Sequence, residues 1–176
     1  MAATSSRAAT SSRAASPLIY TVGHSNHTVE ELVALLRGQG VTVVVDVRSQ
    51  PYSRWAPQFN KQAFSRDLQT SGLTYLFMGD CLGGRPDDPA LQNAQGHPDY
   101  ERMAAAPAFQ SGLERLQALA TEGHAAILCS EGDYRACHRS LLIAPRLLER
   151  GVRVVHILPD GQIAEAGQEP RQITFL

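Results

Sequence analysis

The segment VTVVVDV, residues 41–47, constrains the fold of this chain more than any other stretch. It follows Gly40 and is apolar on both faces. Strands with two apolar faces are typical of parallel sheets that helices cover on both sides. The segment therefore predicts a central strand of an α/β sheet, with the charged side chain of Asp46 close to its carboxyl end.

Strand-like and helix-like patterns alternate along the rest of the chain. Four further apolar segments predict strands over residues 18–22, 74–77, 125–129 and 153–157. The first helix is predicted to begin after Thr28, because Glu31 has the capping-box spacing from it. Three later helices are predicted over residues 60–71, 108–122 and 137–150. Pro145 predicts a kink in the last of these helices, and the Gly-, Pro- and Asp-rich residues 79–98 predict a long loop.

This alternation predicts right-handed crossovers between parallel strands. We therefore predict one α/β domain over residues 17–176, with a mostly parallel five-stranded sheet and helices on both faces. Residues 1–16 differ from the rest, because AATSSR occurs twice in them and nothing in them is able to form a core. They predict a disordered tail. Their acid-poor, Ser- and Arg-containing composition also resembles that of organelle transit peptides, although a tail without function is the interpretation we favour.

Deleting residues 1–16 is expected to leave the melting temperature nearly unchanged, because the segment lacks residues that would pack in a core. Thermal unfolding of the full chain and of the truncated chain checks this. A fall of many degrees would place the domain boundary earlier in the sequence.

The composition limits the classes of function. Hydrophobic residues make up 43% of the chain and the formal net charge is −1, so the whole molecule has no electrostatic preference for nucleic acid or for an anionic membrane. No apolar run reaches the length of a membrane span. The three cysteines, Cys81, Cys129 and Cys137, argue against a disulfide scaffold and favour a reducing, cytoplasmic location.

Polar residues follow each of the first four predicted strands. The first is followed by GHSN, the second ends in DVR, the third is followed by GD and then LGGR, and the fourth ends in CSE. The carboxyl ends of parallel strands meet at one edge of a sheet, and ligands of open α/β sheets bind beyond that edge. The sequence therefore predicts a ligand site there.

The motifs TVGHSN, VVDVRSQPYSR, PQFNK, LGGR and CHRS occur in this order between residues 18 and 158. Together they resemble the family called domain of unknown function 488. The resemblance implies an α/β fold and marks these motifs as the site, but it implies no reaction. The chain also lacks the G-x-G-x-x-G, Walker, G-x-S-x-G and H-E-x-x-H motifs, so the sequence does not name the chemistry.

The stretch LCSEGDYRACHRS connects the fourth predicted strand to the last predicted helix. In one interpretation, the C-x5-R spacing from Cys129 to Arg135 forms a rhodanese- or phosphatase-like anion cradle beside a thiolate. Glu131 and Asp133 argue against it, because carboxylates repel an anion and raise the pKa of a thiol. In a second interpretation, Cys137 begins the helix, whose dipole favours a thiolate there and makes it the faster of the two cysteines to be alkylated.

Two further interpretations are a structural role and a metal site. A cysteine at the end of an apolar strand is typically a small buried hydrophobe, which is the structural interpretation of Cys129. Asp46 is expected to form a buried or half-buried ion pair with Arg139 or Arg48 near His24, and a pair with Arg139 would hold the last helix against the second strand. A metal site from Cys129, Cys137 and a histidine has no standard zinc spacing, so no metal and no other cofactor is predicted.

Basic and aromatic residues alternate in RSQPYSRWAPQFNK. Arginines bind phosphate or carboxylate groups in a bidentate manner, and aromatic rings between basic residues stack on the bases of nucleotides or single strands. Tyr52, Trp55 and Phe59 lie among Arg54 and Lys61 in this way. The alternative is that Trp55 and Phe59 only attach the loop to the core.

We therefore predict an enzyme, a hydrolase or transferase, that acts on an anionic substrate derived from a nucleotide or nucleic acid. The alternatives are a nucleotide or nucleic-acid binding module without turnover, a rhodanese- or phosphatase-like thiol enzyme, and an accessory protein whose polar motifs form only an ion-pair network. We expect Asp46 or Glu131 as general base and His24 as proton carrier. The predicted catalytic residues are His24, Asp46, Cys129, Glu131, Cys137 and His138. The predicted substrate-binding residues are Ser25, Asn26, Arg48, Arg54, Asn60, Lys61, Arg85 and Arg139.

Overall fold

A sheet of mostly parallel strands forms the centre of the fold, as the alternating pattern predicts. Its strands in chain order are β1 Leu18–Gly23, β2 Val43–Asp46, β3 Thr74–Phe77, β4 Ala125–Cys129, β5 Arg153–Ile157 and β6 Ile163–Glu165. The order across the sheet is β3-β2-β4-β1-β5-β6, and every neighbouring pair among the first five strands is parallel. The predicted valine-rich strand is β2, which lies inside the sheet between β3 and β4.

The computed structural model describes residues 16–168. The predicted tail therefore lies outside the described residues except for Ser16. Within the described part of the chain, none of the helices combines the length and the apolar character that crossing a membrane requires.

The sixth strand is the difference from the predicted sheet of five. β6 pairs antiparallel with the outer side of β5, with Val155 opposite Glu165. It has three residues and follows a turn at Gly161, whose φ of 84° lies in the left-handed region. A strand this short has too few alternating positions for its pattern to be recognised in the sequence.

Helices cover both faces of the sheet. In chain order they are α1 Val29–Gly38, α2 Lys61–Thr70, α3 Gly79–Leu82, α4 Tyr100–Ala105, α5 Pro107–Glu122 and α6 Ala144–Glu149. The predicted capping box is present, since the Glu31 backbone N–H donates to Thr28 Oγ1 over 3.2 Å and the Thr28 N–H donates to the Glu31 carboxylate over 2.8 Å. Apolar residues of α1 and α2 pack on one face of the sheet and those of α3 to α6 on the other.

Two predicted elements differ in detail. Residues 79–98 are not a loop throughout, because they contain α3 and a 3-10 turn at Pro89–Leu91. The last predicted helix is divided into a turn of π-helix, Arg139–Ile143, and α6. Pro145 lies in the first turn of α6, where its missing N–H removes no α-helical hydrogen bond. The predicted kink thus takes the form of a change of helix type just before the proline.

Candidate active site

The carboxyl ends of β2, β4 and β1 lie side by side in the middle of the sheet. Gly23 at the end of β1 is in register with Cys129 at the end of β4, and Asp46 at the end of β2 is in register with Leu128. The polar residues that follow these strands therefore meet at one edge, as expected from the topology.

Asp46 and Arg48 form a buried ion pair at this edge. Asp46 is 0% exposed, and its carboxylate accepts the Arg48 backbone N–H over 3.1 Å and the guanidinium Nε and Nη2 over 2.9 and 2.7 Å. The Tyr75 hydroxyl also donates to it over 2.7 Å, while Arg48 Nη2 donates to the Phe59 carbonyl over 2.8 Å. Burial and the bond to Asp46 raise the pKa of Tyr75. The geometry suits a clamp between β2, β3 and the following loop better than the predicted general base.

His24 lies beside this pair but is held by stacking. Its ring lies 4.3 Å from that of Phe59, centroid to centroid, and its Nδ1 atom bonds to the Ser25 carbonyl over 3.0 Å. Burial lowers the pKa of His24, so the ring is neutral near pH 7. Ser25 is in the left-handed region with a φ of 46°, and its hydroxyl donates to the Asn26 side chain over 3.3 Å. These three predicted site residues order the loop after β1.

Cys129, Cys137 and His138 converge into one buried cluster. The loop after β4 and the 3-10 turn Tyr134–Ala136 bring Cys137 and His138 back to the end of that strand. His138 Nδ1 lies 3.6 Å from the sulfur of Cys129 and 3.7 Å from that of Cys137. The other ring nitrogen, Nε2, bonds to the Val47 carbonyl over 3.2 Å. We call these three residues the thiol–imidazole cluster.

The two thiols of the cluster have opposite acidities. The hydrogen bond from the Cys137 thiol lowers the pKa of Cys129, and this effect together with His138 and a backbone hydrogen bond at Glu131 outweighs burial. The same thiol–thiol bond and burial raise the pKa of Cys137. The negative charge therefore belongs on Cys129. This direction differs from the one that the helix dipole favours. Cys137 lies at the helix start, since its carbonyl accepts the N–H of Leu141 over 3.0 Å, but its thiol is buried and donates its proton to the neighbouring sulfur. The order of alkylation stays a prediction.

The acidic residues of the connecting loop are exposed, although Glu131 also lines a cavity at this edge of the sheet. Glu131 is exposed, and Asp133 is exposed and forms a bidentate pair with Arg135 at 2.9 and 3.0 Å. The expected opposition of these carboxylates to a thiolate at Cys129 is therefore weak. Arg135 is also directed outward, with 69% of its side chain exposed, so the C-x5-R spacing does not form the anion cradle of the first interpretation.

Arg139 holds the backbone of the loop after β4 by hydrogen bonds. It is 0% exposed, and its Nη2 atom donates to the carbonyls of Glu131 and Gly132 over 2.7 and 3.2 Å. It does not form the predicted ion pair with Asp46, whose carboxylate Arg48 already occupies. Burial lowers the pKa of Arg139, while the nearby sulfurs of Cys137 and Cys129 act in the opposite direction and favour its charged form.

Two glycines of the family-like motifs allow this packing. A Cβ atom on Gly23 would lie 1.8 Å from the Glu131 carbonyl oxygen, and one on Gly84 would lie 2.5 Å from Cγ of His138. Both distances are shorter than any van der Waals contact. GHSN and LGGR therefore need glycine where the backbone approaches the loop after β4 and the imidazole of the cluster.

A cavity of about 360 Å³ opens onto the cluster. Its predicted lining residues are Arg48, Arg85, Cys129, Glu131, Cys137 and His138. Lining side chains outside the predicted catalytic and substrate-binding sets include Ser49, Gln50, Tyr52, Ser53, Tyr100 and Ser130, of which only Tyr100 lies outside the segments that the sequence marked. Tyr100 begins α4, which follows the predicted long loop, and burial raises its pKa first, with the two cluster thiols acting in the same direction. In the sequence, only the position of Tyr100 just after the predicted long loop indicated that it could lie at the site.

The other predicted binding residues lie around the cavity without lining it. The Arg54 guanidinium lies 4.6 Å from the ring centre of Trp55, and Lys61 Nζ lies 3.6 Å from that of Phe77. The Asn60 side chain accepts the backbone N–H of Ser53 over 2.7 Å and so orders the loop. Their predicted role in substrate binding stays a prediction.

Some aromatic residues of this loop fit the interpretation that they attach the loop to the core, and others fit the interpretation that they stack on bases. Phe59 is buried in the core, as the attachment interpretation predicts, whereas Tyr52 and Trp55 are 78% and 83% exposed. Exposed aromatic rings beside a basic cavity are available for stacking.

A protein-family model described as "Domain of unknown function DUF488" matches residues 28–144 of the chain. The matched range includes the buried ion pair, the glycine-rich LGGR segment and the whole thiol–imidazole cluster. Neither the curated proteins nor the solved structures gave a match.

Proposed function

The chain belongs to the DUF488 family, whose description names no reaction, and we propose that it is a hydrolase or transferase acting on an anionic, nucleotide-like substrate in the cavity. The thiol–imidazole cluster would supply the reactive groups. The observation that carries the proposal is that one cavity joins this cluster to two arginines, Arg48 and Arg85.

The arginines favour an anionic ligand, but they contribute differently. Arg48 is buried and its charge is balanced by Asp46, so it mainly fixes the shape of the cavity wall. Arg85 is exposed, and its backbone N–H donates to Ser49 Oγ over 2.9 Å, which places the residue at the cavity. Its guanidinium can therefore turn to a phosphate or carboxylate in the cavity and bind it through two parallel hydrogen bonds.

Tyr52 favours a nucleotide among anionic ligands. It lines the cavity, yet its side chain is 78% exposed. A ring in this position can stack on a base while the phosphate lies near Arg85, and base stacking contributes about 1–3 kcal/mol.

The cluster favours chemistry over binding alone. Cys129 is the cluster thiol with the lowered pKa, it lines the cavity, and His138 Nδ1 lies close enough to accept or return its proton. A reactive thiolate held beside a base is not needed by a module that only binds nucleotides.

The test combines a binding variant with a reaction variant. Arg85→Ala is expected to weaken binding of a nucleotide or phosphate ester by about 10–100-fold, which corresponds to a hydrogen bond to a charged group of about 1.5–3 kcal/mol. Cys129→Ser is expected to keep binding and lose turnover. A thermal-shift screen identifies the ligand, and calorimetry and product analysis then measure both effects.

Arg37→Ala is the control for Arg85→Ala. Arg37 is likewise an exposed arginine, but it lies in the last turn of α1, at the opposite edge of the sheet. Equal losses of affinity in both variants would show that the effect is one of net charge and would contradict the proposed site. Full turnover by Cys129→Ser would remove the cluster from the reaction.

The second candidate is a nucleic-acid binding module without turnover. Trp55 favours it, because this ring is 83% exposed with Arg54 stacked on it, away from the cavity lining. A Trp55→Ala variant that loses single-strand binding, in a protein that turns over no nucleotide, would support this candidate over the enzyme.

A further inference from the structure

The thiol–imidazole cluster directs three soft donor atoms at one point on the cavity wall. The sulfurs of Cys129 and Cys137 and the Nδ1 atom of His138 all lie within 4.8 Å of one another. The two sulfur-to-nitrogen distances are 3.6 and 3.7 Å. In a tetrahedral zinc site, with Zn–S of about 2.3 Å and Zn–N of about 2.0–2.1 Å, a sulfur and a nitrogen ligand are roughly 3.6 Å apart. Both sulfur–nitrogen pairs therefore already have the separation that a tetrahedral ion requires.

The orientation of His138 is also that of a metal ligand. Its Nε2 atom lies 3.2 Å from the Val47 carbonyl oxygen, which can only accept a hydrogen bond. Nε2 therefore carries a proton, and in the neutral ring, which is the form that binds a metal, the lone pair of Nδ1 points at the two sulfurs. Metal-binding histidines characteristically donate their second ring N–H to a carbonyl or carboxylate, which fixes the tautomer and the ring. Packing of Gly84 against the ring holds it further.

We propose that Cys129, Cys137 and His138 bind a zinc-class divalent metal ion whose remaining coordination position faces the cavity. The inference rests on the proposed function, because it assigns the reactive centre of that function to a metal ion. Two sulfurs and one imidazole suit zinc by donor softness, and three protein ligands with an open position are the pattern of catalytic rather than structural zinc sites.

Protons and charge balance in this assignment. The ion binds both sulfurs as thiolates and the imidazole as the neutral ring, so the proton that the thiol pair retains, together with any proton on His138 Nδ1, is released to solvent. Two thiolates and one divalent cation sum to zero charge. Arg85, which lines the cavity, then favours an anionic oxygen in the remaining position, whether from the substrate or from a deprotonated water molecule. When bound, the ion would polarise that oxygen, and Cys129 would be a ligand rather than the nucleophile.

The full-length protein is stripped with a chelator and titrated with Co²⁺ and Zn²⁺. We expect one ion per chain and the visible absorption of tetrahedral cobalt with thiolate ligands. Cys129→Ser and Cys137→Ser are expected to weaken metal binding by more than the roughly 10–100-fold that loss of an outer-shell partner costs. Cys81→Ser is the matched control, because Cys81 is a partly buried thiol outside the cluster, and it should bind the metal as the wild type does.

A second measurement needs no variant. Zn²⁺ should protect Cys129 and Cys137 of the wild-type protein from iodoacetamide, with Cys81 still modified, as measured by peptide mass spectrometry. Absence of stoichiometric binding, or equal protection of all three thiols, would overturn the metal site. Nucleotide binding by the stripped protein and its loss in Arg85→Ala are measured separately, so failure of the metal site is distinguishable from failure of the proposed function.

Discussion

Replacing Asp46 with Ala is expected to lower the free energy of unfolding by about 3–5 kcal/mol. Asp46 and Arg48 are 0% and 6% exposed, and the carboxylate accepts three hydrogen bonds from Arg48 and one from Tyr75. The substitution leaves the guanidinium buried without its counter-charge, which is the main source of the expected loss. Urea unfolding at pH 7 measures it.

Asp133→Ala is an internal control for that loss. Asp133 and Arg135 repeat the same spacing and the same bidentate geometry, but both side chains are more than half exposed. Because water screens that pair, its removal should lower stability far less than removal of Asp46, by no more than the loss of the cap that Asp133 gives to the Arg135 N–H. Similar losses in the two variants would mean that burial of the Asp46 pair is not what matters.

A double variant separates the stranded charge from the lost contacts. Asp46→Leu combined with Arg48→Met removes both charges and keeps apolar volume, so it should lose less stability than Asp46→Ala alone. A double variant less stable than the single one would show that the hydrogen bonds to Phe59 and Tyr75, rather than the unpaired charge, dominate.

The sheet was predictable because burial on both faces of a strand leaves a pattern within a few consecutive residues. A strand buried on both faces has to be apolar on both faces, and β2 and β4 are read from that pattern alone. A charge at the end of an apolar strand needs a partner, which is why Asp46 was expected to pair with Arg139 or Arg48, and the structure pairs it with Arg48. β6 was not predictable in the same way, because three residues at the edge of a sheet have no distinctive periodicity.

The thiol–imidazole cluster was only partly predictable. Its three residues were selected from the sequence, but their relation depends on a 3-10 turn that returns Cys137 and His138 to the end of β4. Metal ligands are recognisable in a sequence only when their spacing follows a standard pattern, and the spacing from Cys129 to Cys137 in this loop matches none. The helix start at Cys137 was predictable, since the carbonyl of Cys137 accepts the Leu141 N–H over 3.0 Å, but the thiol–thiol contact that the turn creates was not.

Cys129 of the metal-free protein is expected to react with iodoacetamide at pH 6 at least about tenfold faster than Cys81, and faster than Cys137. A thiol of ordinary pKa, about 8.5, is less than about 1% ionised at that pH. The thiol–thiol bond and His138 lower the pKa of Cys129, whereas burial and Asp80 raise that of Cys81. The lower nucleophilicity of an acidic thiolate and the small opening above Cys129 reduce the advantage without removing it. Timed quenching and mass spectrometry of the three peptides give the rates.

The same thiolate should appear in the pH dependence of stability. Between about pH 7 and pH 8.5, unfolded Cys129 binds a proton that the folded protein does not, so the free energy of unfolding rises with pH, by at most about 1.4 kcal/mol per pH unit. Above that range the slope reverses. The pKa of Cys137 is raised in the folded protein, so unfolded Cys137 loses a proton there that folded Cys137 keeps. Cys129→Ser should abolish the rise, and Cys81→Ser should retain it. An unchanged slope in Cys129→Ser, or alkylation of Cys137 before Cys129, would place the negative charge on the other sulfur and restore the order that the helix dipole predicts.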